Sequence, residues 1–377
     1  MDLTESRRPE TTPWVLVADG LAEADDQART TLWTVRCLGY AGYRAALATS
    51  SRASAAGASK YCHRTVMVPP AGDDGFVPAV QQELHAGGFL TVIAASDPAL
   101  LALGTPVSHL VDKSLLIASA KAAGLATPPT EVFETSDSLL AAAPKLEYPI
   151  VVKPTLGKPA RCYRSSAELA SLRGRPGPFV VQPYMEDGLW SIAGVLFQGE
   201  LVASVHQRFL RTWPPDAGMA CAAETIEADL DTEARVVELL DGHEGVFQVD
   251  LLGRHVLDVN PRVYASMSLA AAAGVNLVGL YCDFLRGRKP SLVRARPGVF
   301  FRWLEGDVRC LFEGVRTGRL SAAEAARSLR PRRHTARGGP ESLVDPGPML
   351  SRSRYILRRL KERASGRVSE ASHPQTS

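Results

Sequence analysis

The sequence predicts an α/β protein that opens with a small doubly wound domain. Between residues 14 and 110, short apolar runs alternate with segments of helical periodicity. Hydrophobic residues make up 45% of the chain and charged residues 22%, the balance of a sequence that buries a core. Its 377 residues allow two or three domains, at roughly 150 residues each.

Residues 1–13 are polar and lack the apolar stretch of a secretory signal, so a disordered tail is expected there. Trp14–Ala18 reads as a buried strand closed by Asp19-Gly20. A helix is expected from Asp25 to Gly42, with Ala28, Leu32, Val35 and Leu38 at helical spacing. Tyr43–Ala48, Thr65–Val68 and Thr91–Ala95 supply three further strands. The turn after the first strand is D-G-L-A-E-A, without the glycines that let a backbone approach a pyrophosphate, which argues against a nicotinamide enzyme.

Asp112–Gly124 has helical spacing and ends on a glycine suited to a left-handed cap. Strands follow at Ile150–Lys153, Phe179–Gln182, Ile192–Phe197 and Leu201–His206, the last two forming a hairpin about Gln198-Gly199. Thr232–Leu240 is read as a helix, Val246–Leu252 and His255–Val259 as strands about Gly253, and Ser268–Leu280 as an Ala-rich helix. The remainder is Arg-rich, with a Gly/Pro break at 338–348 and a basic helix at 351–363.

No apolar run is long enough for a membrane span, and the six cysteines are scattered without C-x-x-C spacing, so free thiols and a cytoplasmic location are expected. Charge is uneven. Residues 286–368 hold 21 basic and 7 acidic side chains, leaving 22 basic and 33 acidic elsewhere. A basic segment can meet nucleic acid or a membrane surface. The absence of interleaved aromatics favours a solvated surface that packs on the acidic body, with nucleic acid not expected as a partner.

Chemistry concentrates in Phe247-Gln-Val-Asp-Leu-Leu-Gly-Arg-His-Val-Leu-Asp-Val-Asn-Pro-Arg262. Two strands on a short turn bring Asp250 beside Asp258, and the strand period of two puts Asn260 on the face of Asp258. Two carboxylates and an amide oxygen suit Mg²⁺, which completes its shell with water and phosphate oxygens. Arg262 follows at once and could grip an oxyanion in two-pronged fashion. Lys153 closes a buried strand, where open sheets bind nucleotides. Taken singly, each element has a plainer reading: an Asx turn, a solvated strand end, a core strand.

In order, the chain presents D-K (112–113), I-V-V-K-P (150–154), V-V-Q-P-Y-M (180–185), Q-V-D-L-L (248–252) and L-D-V-N-P-R (257–262). That succession resembles the ATP-grasp superfamily, most closely the ATP-grasp half of carbamoyl phosphate synthase and related carboxylate–amine ligases. Asp258 to Ser268, running into Leu-Ala-Ala-Ala-Ala-Gly274, is especially similar. The resemblance implies a pre-ATP-grasp domain at 14–110 and an ATP-grasp domain at 111–290, made of a small lid subdomain (111–185) and a large one (186–290). A partly helical extension occupies 291–377.

It also implies roles. Lys113 and Lys153 would contact the ATP phosphates, and Gln182, Pro183, Tyr184 and Met185 would hold the adenine. Asp187, with Glu186, is a candidate for the ribose. Asp250, Asp258 and Asn260 would hold the metal, Mg²⁺ or alternatively Mn²⁺, and Arg262 would steady an acyl phosphate. His206, Gln207, Arg208 and Arg211 fall where relatives carry basic residues facing the triphosphate and acyl substrate, Arg208 being the first choice. The loop after Lys153 has one glycine, so Lys158 or Arg161 would replace lost backbone donors. A lid is expected at 155–165 or 212–222. The implied activity joins a small-molecule carboxylate (an amino acid or peptide in this class) to an amine, using ATP. Homodimers are common among relatives. The alternative is an ATP-binding protein of the same fold without turnover.

Overall fold

The computed structural model describes residues 12–22, 28–157, 160–288 and 291–364. Residues 1–11 of the tail expected at 1–13, the start of the first helix, Lys158 and the end of the basic segment lie outside the described residues.

The first layer consists of β1 (Trp14–Ala18), α1 (Ala28–Tyr40), β2 (Arg44–Thr49), β3 (Cys62–Met67), α2 (Phe76–Gly87), β4 (Phe89–Ala94) and α3 (Asp97–Leu103). Its four strands are parallel in the order β3-β2-β1-β4. Alternation along β1 sorts its side chains onto two faces. Val15 and Val17 pack with Leu32, Val35 and Leu38 of α1. Leu16 and Ala18 pack with Phe76 and Val80 of α2.

Next come α4 (Lys113–Ala122), β5 (Glu131–Phe133), α5 (Ser136–Ala142), β6 (Ile150–Pro154), β7 (Arg161–Tyr163), α6 (Ser166–Leu169) and β8 (Phe179–Pro183). The strands make an antiparallel sheet, β5-β8-β6-β7, over a small core that includes Leu139, Ile150, Val152, Leu169 and Phe179.

The rest comprises β9 (Leu189–Phe197), β10 (Glu200–Trp213), β11 (Met219–Thr225), α7 (Leu230–Leu239), β12 (Gly245–Leu252), β13 (His255–Asn260), α8 (Met267–Ala272), α9 (Leu277–Leu285), β14 (Val293–Arg294), β15 (Phe300–Arg302), α10 (Leu304–Arg316), α11 (Ala322–Ser328), β16 (Thr335–Arg337) and α12 (Gly347–Ala364). Seven of these strands run β13-β12-β9-β10-β11-β15-β16, with β14 paired to β10. One core joins this sheet to the first layer, since Val15, Val17 and α1 share it with Val195, Val205, Tyr264 and Val278.

Several elements differ from the sequence expectation. The hairpin about Gln198-Gly199 forms, both residues taking positive φ (52° and 78°), but its second strand continues to Trp213. The polar stretch Gln207–Trp213 lacks the apolar run that marks a strand, yet pairs with β11, which was not anticipated. The Ala-rich helix is two helices: Gly274 at φ 97° breaks it, and Asn276 caps the second by accepting from Gly279 N at 3.1 Å. The large sheet also continues past 290, where the sequence reading ended it. β15 pairs with β11 and β16 with β15, so the extension contributes sheet strands.

Candidate functional site

A cleft of about 540 Å³ is lined by residues of the small sheet, the large sheet and the start of α1. It gathers Lys113, Lys153, Gln182, Pro183, Tyr184, Met185, Glu186, Asp187, Asp250, Asp258, Asn260 and Arg262. Its volume falls in the range of small-molecule sites.

Lys113 opens α4. The preceding Asp112 caps the helix by accepting from Ser114 N at 2.8 Å, and the Lys113 amide donates to Thr155 O at 3.0 Å. The side chain is thereby fixed with Nζ 3.5 Å from Asp258 Oδ1 and 9% exposed. Lys153 lies near the end of β6 and is 8% exposed. Its ammonium is held down at about 8, chiefly by burial and also by the charge of Lys113, against the opposing pull of Asp258 and Asp250.

On β12 and β13, Asp250 stands directly opposite Asp258 and Gln248 opposite Asn260. Like charges across an antiparallel pair repel, so this pairing asks for nearby cations. Lys113 and Lys153 answer part of that demand. Among the described residues no three His, Cys, Asp or Glu side chains gather as a closed metal cage. Two carboxylates and an amide oxygen fit a hard cation that takes its remaining ligands from water and a bound phosphate. Asn260 Oδ1 also accepts from Arg262 Nη2 at 2.8 Å. Arg262 Nη1 donates to Val263 O at 2.8 Å, and Nε donates to Asp97 Oδ1 at 2.6 Å.

Gln182 is buried, its amide donating to Thr130 Oγ1 at 3.0 Å. The chain then turns into 184–188, held by Tyr184 N donating to Pro149 O at 3.0 Å. Behind the metal-type oxygens is a buried polar net: Gln207 Nε2 donates to Ser191 Oγ and Ser266 Oγ, both at 2.9 Å, and Gln248 Nε2 to Ser191 Oγ at 3.1 Å. It fixes Gln248 and Ser266, which line the cleft.

The basic residues of β10 do not converge as expected. Arg208, the first choice for a catalytic role, is not among the lining residues; its Nε donates to Glu224 Oε1 at 2.6 Å and its side chain is 59% exposed. His206 is buried on the side of α7. Its Nδ1 accepts from Asp229 N at 3.3 Å, which leaves Nε2 as the donor to Glu233 at 3.0 Å. Alternation along the strand places these side chains off the cleft, and irregular pairing between Phe209 and Arg211 resets it. Arg211 does line the cleft, gripped by buried Asp307 at 2.6 and 3.1 Å.

Sequence reasoning missed Arg29, whose guanidinium lies 3.6 Å from the centre of the Trp303 ring and which lines the cleft from α1. No local motif marks it. The turn from β10 into β11 also borders the cleft, from Trp213 at the end of β10 through Pro214 and Asp216 to Met219 at the start of β11, inside the 212–222 stretch expected as a lid. Gly218 is required there, because a Cβ would sit 2.0 Å from the Trp213 carbonyl carbon. Asp216 meets Arg164, just after β7, at 3.3 Å and Arg319 at 3.1 Å.

No protein-family model matches the chain, and a search of curated proteins finds no match. Solved structures do match. The L-amino acid ligase from Bacillus licheniformis aligns with a TM-score of 0.59 at 18% identity, over 77% of this chain and 78% of that one. N5-carboxyaminoimidazole synthetase from Staphylococcus aureus, complexed with ADP, aligns with a TM-score of 0.60 at 14% identity, over 76% and 80%. The biotin carboxylase domain of the Hydrogenobacter thermophilus 2-oxoglutarate carboxylase gives 0.56 at 14% identity, over 76% and 73%. At such identities the likeness concerns architecture, and it agrees with the order of motifs in the sequence: the chain has the ATP-grasp fold, with a doubly wound domain ahead of it.

Proposed function

We propose that this protein is an ATP-dependent ligase that activates a small carboxylate as an acyl phosphate and joins it to an amine. One observation carries the reading: two buried lysines, the facing pair Asp250 and Asp258, Asn260 and Arg262 line a single cleft with the 182–187 linker. The solved structures similar in fold include an L-amino acid ligase and a synthetase complexed with ADP, which supports the same class of reaction.

Lys113 and Lys153 bind the ATP phosphates and neutralise charge as it shifts toward the leaving ADP. Gln182 to Met185 hold the adenine, and Asp187 or Glu186 takes the ribose. Asp250, Asp258 and Asn260 would hold Mg²⁺, whose charge eases the approach of an anionic nucleophile to the triphosphate. The substrate carboxylate attacks the γ-phosphorus, the bond to the bridging oxygen breaks, and ADP leaves. Arg262 steadies the acyl phosphate until the amine attacks its carbonyl carbon and inorganic phosphate departs. The 213–219 loop, tied through Asp216 to both Arg164 and Arg319, covers the cleft and keeps water from the intermediate.

The test is Mg²⁺-dependent ADP release from purified protein, measured against pooled amino acids, other small carboxylates and amines, with Asp258→Ala as control. The expected result is turnover that needs both an acid and an amine and falls at least 100-fold, on the order of a lost charge-stabilising contact, in the variant. ATP binding without turnover from any pool would replace the ligase with a nucleotide-binding protein.

A further inference from the structure

In open parallel sheets, ligands bind beyond the carboxyl ends of the strands, where the strand order reverses. In the first layer that point lies between β1 and β4, because the chain goes from β1 to β2 on one side and returns to β4 on the other. The residues at this edge are Asp19 and Gly20 after β1, and Ser96 and Asp97 after β4. Gly20 leaves little room for a ligand: a Cβ there would sit 2.9 Å from both Ala71 and Ala99. The edge is closed by packing, and Asp97 is directed at the neighbouring domain.

Asp97 Oδ1 lies 2.6 Å from both Nε and Nη2 of Arg262, across 165 residues of sequence. The two side chains are 16% and 8% exposed. The carboxylate is set on a rigid base. Ser96 caps α3 by accepting from Ala99 N at 3.2 Å and donates its own hydroxyl proton to the carbonyl of Asp19. With Asn260 and Val263 as its other partners, Arg262 has all three nitrogens engaged. An arginine carries five N–H donors, so at least one remains for a bound anion, and its direction is set by the other four contacts.

We infer that Asp97 is a positioning residue for the ligase reaction: the doubly wound domain uses the carboxyl edge of its sheet, which is closed to a ligand of its own, to aim Arg262 at the acyl phosphate. This inference rests on the function proposed above. A flexible arginine would have to be ordered at each turnover, whereas one held on three sides meets the intermediate in place. Through Asp97, as through Arg29 of α1 on the cleft wall, the first domain reaches the site, which gives that domain a part in the reaction beyond its own stability.

The test compares wild type, Asp97→Ala and Asp97→Asn in acid- and amine-dependent ADP release and in ATP affinity. Asp97→Ala should lose about 100-fold in kcat/KM for the carboxylate, the cost of a displaced catalytic group. Its ATP affinity should stay within twofold. Asp97→Asn keeps an oxygen acceptor and should recover to within about tenfold of wild type. Equal kcat/KM in Asp97→Ala and wild type, or a matching loss in ATP affinity, would overturn the positioning role and leave the ligase standing. A second readout does not depend on turnover: phenylglyoxal modification of Arg262, followed by mass spectrometry. Arg262 should react at least tenfold faster in Asp97→Ala than in wild type or Asp97→Asn; equal protection in all three would refute the role even if the wild type shows no ligase activity.

Discussion

Lys153 should be costly to stability and necessary for function, and the two effects can be separated. Lys153 is 8% exposed, and burial is the main cause that lowers its ammonium from the usual 10.5 to about 8. At 1.36 kcal/mol for each tenfold change, that gap corresponds to about 3 kcal/mol by which the folded state disfavours the charged lysine at neutral pH. The sign follows from proton counts. Between about 8 and 10.5 the unfolded chain binds the proton and the folded chain has released it, so stability rises with pH across that window. Below about 8 the full cost is present; above 10.5 it is gone. Lys153→Met keeps the length and removes the charge. In metal-free buffer with a chelator, the variant should therefore unfold at higher denaturant than wild type at pH 7, by up to about 3 kcal/mol.

That advantage should shrink steadily between pH 8 and 10.5, while ATP affinity falls at least tenfold at pH 7 for loss of one phosphate contact. Urea titrations at pH 7, 8.5 and 10, paired with nucleotide-binding isotherms, read both effects. A variant that is less stable than wild type at pH 7, or an advantage that does not change with pH, would refute the reasoning. The first result would mean that attraction to Asp250 and Asp258 outweighs the burial of the lysine, and the second that the two cancel.

Two further outcomes follow from the pairings in the structure. Arg36 and Asp345 form an ion pair at 2.9 Å with side chains 0% and 1% exposed, and Ser59 and Lys60 N also donate to that carboxylate. Asp345→Ala should cost about 3–5 kcal/mol, the price of an uncompensated buried charge, read as a fall in urea midpoint; a loss under 1 kcal/mol would show that Arg36 finds another partner. Arg208→Ala removes only a pair between a largely exposed arginine and a partly buried Glu224, so stability should change by about 1 kcal/mol or less and ADP release by less than twofold. A 100-fold drop in turnover would return Arg208 to the catalytic site.

How much the sequence revealed depended on whether a residue's meaning was local. β1 was legible because a short apolar run bounded by Asp19-Gly20 has few other readings. Asp250, Asp258 and Asn260 were legible because the strand period of two and one short turn suffice to bring them together. Arg262 was legible as a motif, but its partner was not: nothing around Asp97 distinguishes it from any helix-starting acid until the fold sets it beside a residue far along the chain. The placement of Arg208 off the cleft has a related cause. A run of basic residues on one strand presents alternate faces, and which of them meets the cleft depends on the irregular pairing after Phe209. β15 and β16 are three residues each and carry no pattern above background; β15 becomes a strand because β11 offers an edge to pair with, and β16 because β15 then offers the next.

The charge asymmetry of the chain takes on a different meaning once the contacts are known. A basic extension against an acidic body suggests cations of the one docking on anions of the other, and Arg294 with Glu233 and Arg319 with Asp216 do so. The deepest contacts run the other way. Asp307 and Asp345, two of the few acids in the extension, are 0% and 1% exposed and hold arginines of the body. Asp345 takes Arg36 of α1, while Asp307 takes Arg211 of the cleft and also meets Arg302 at 2.9 Å. An arginine with no carboxylate at such sites would be a buried, uncompensated charge. Cutting the chain before residue 300 would take away the carboxylate partners of both Arg36 and Arg211 and part of what covers them, the second on the wall of the cleft. Residues 300–345 therefore belong to the folding unit that shapes the cleft, and the basic side chains that dominate their composition play the smaller part in joining them to it.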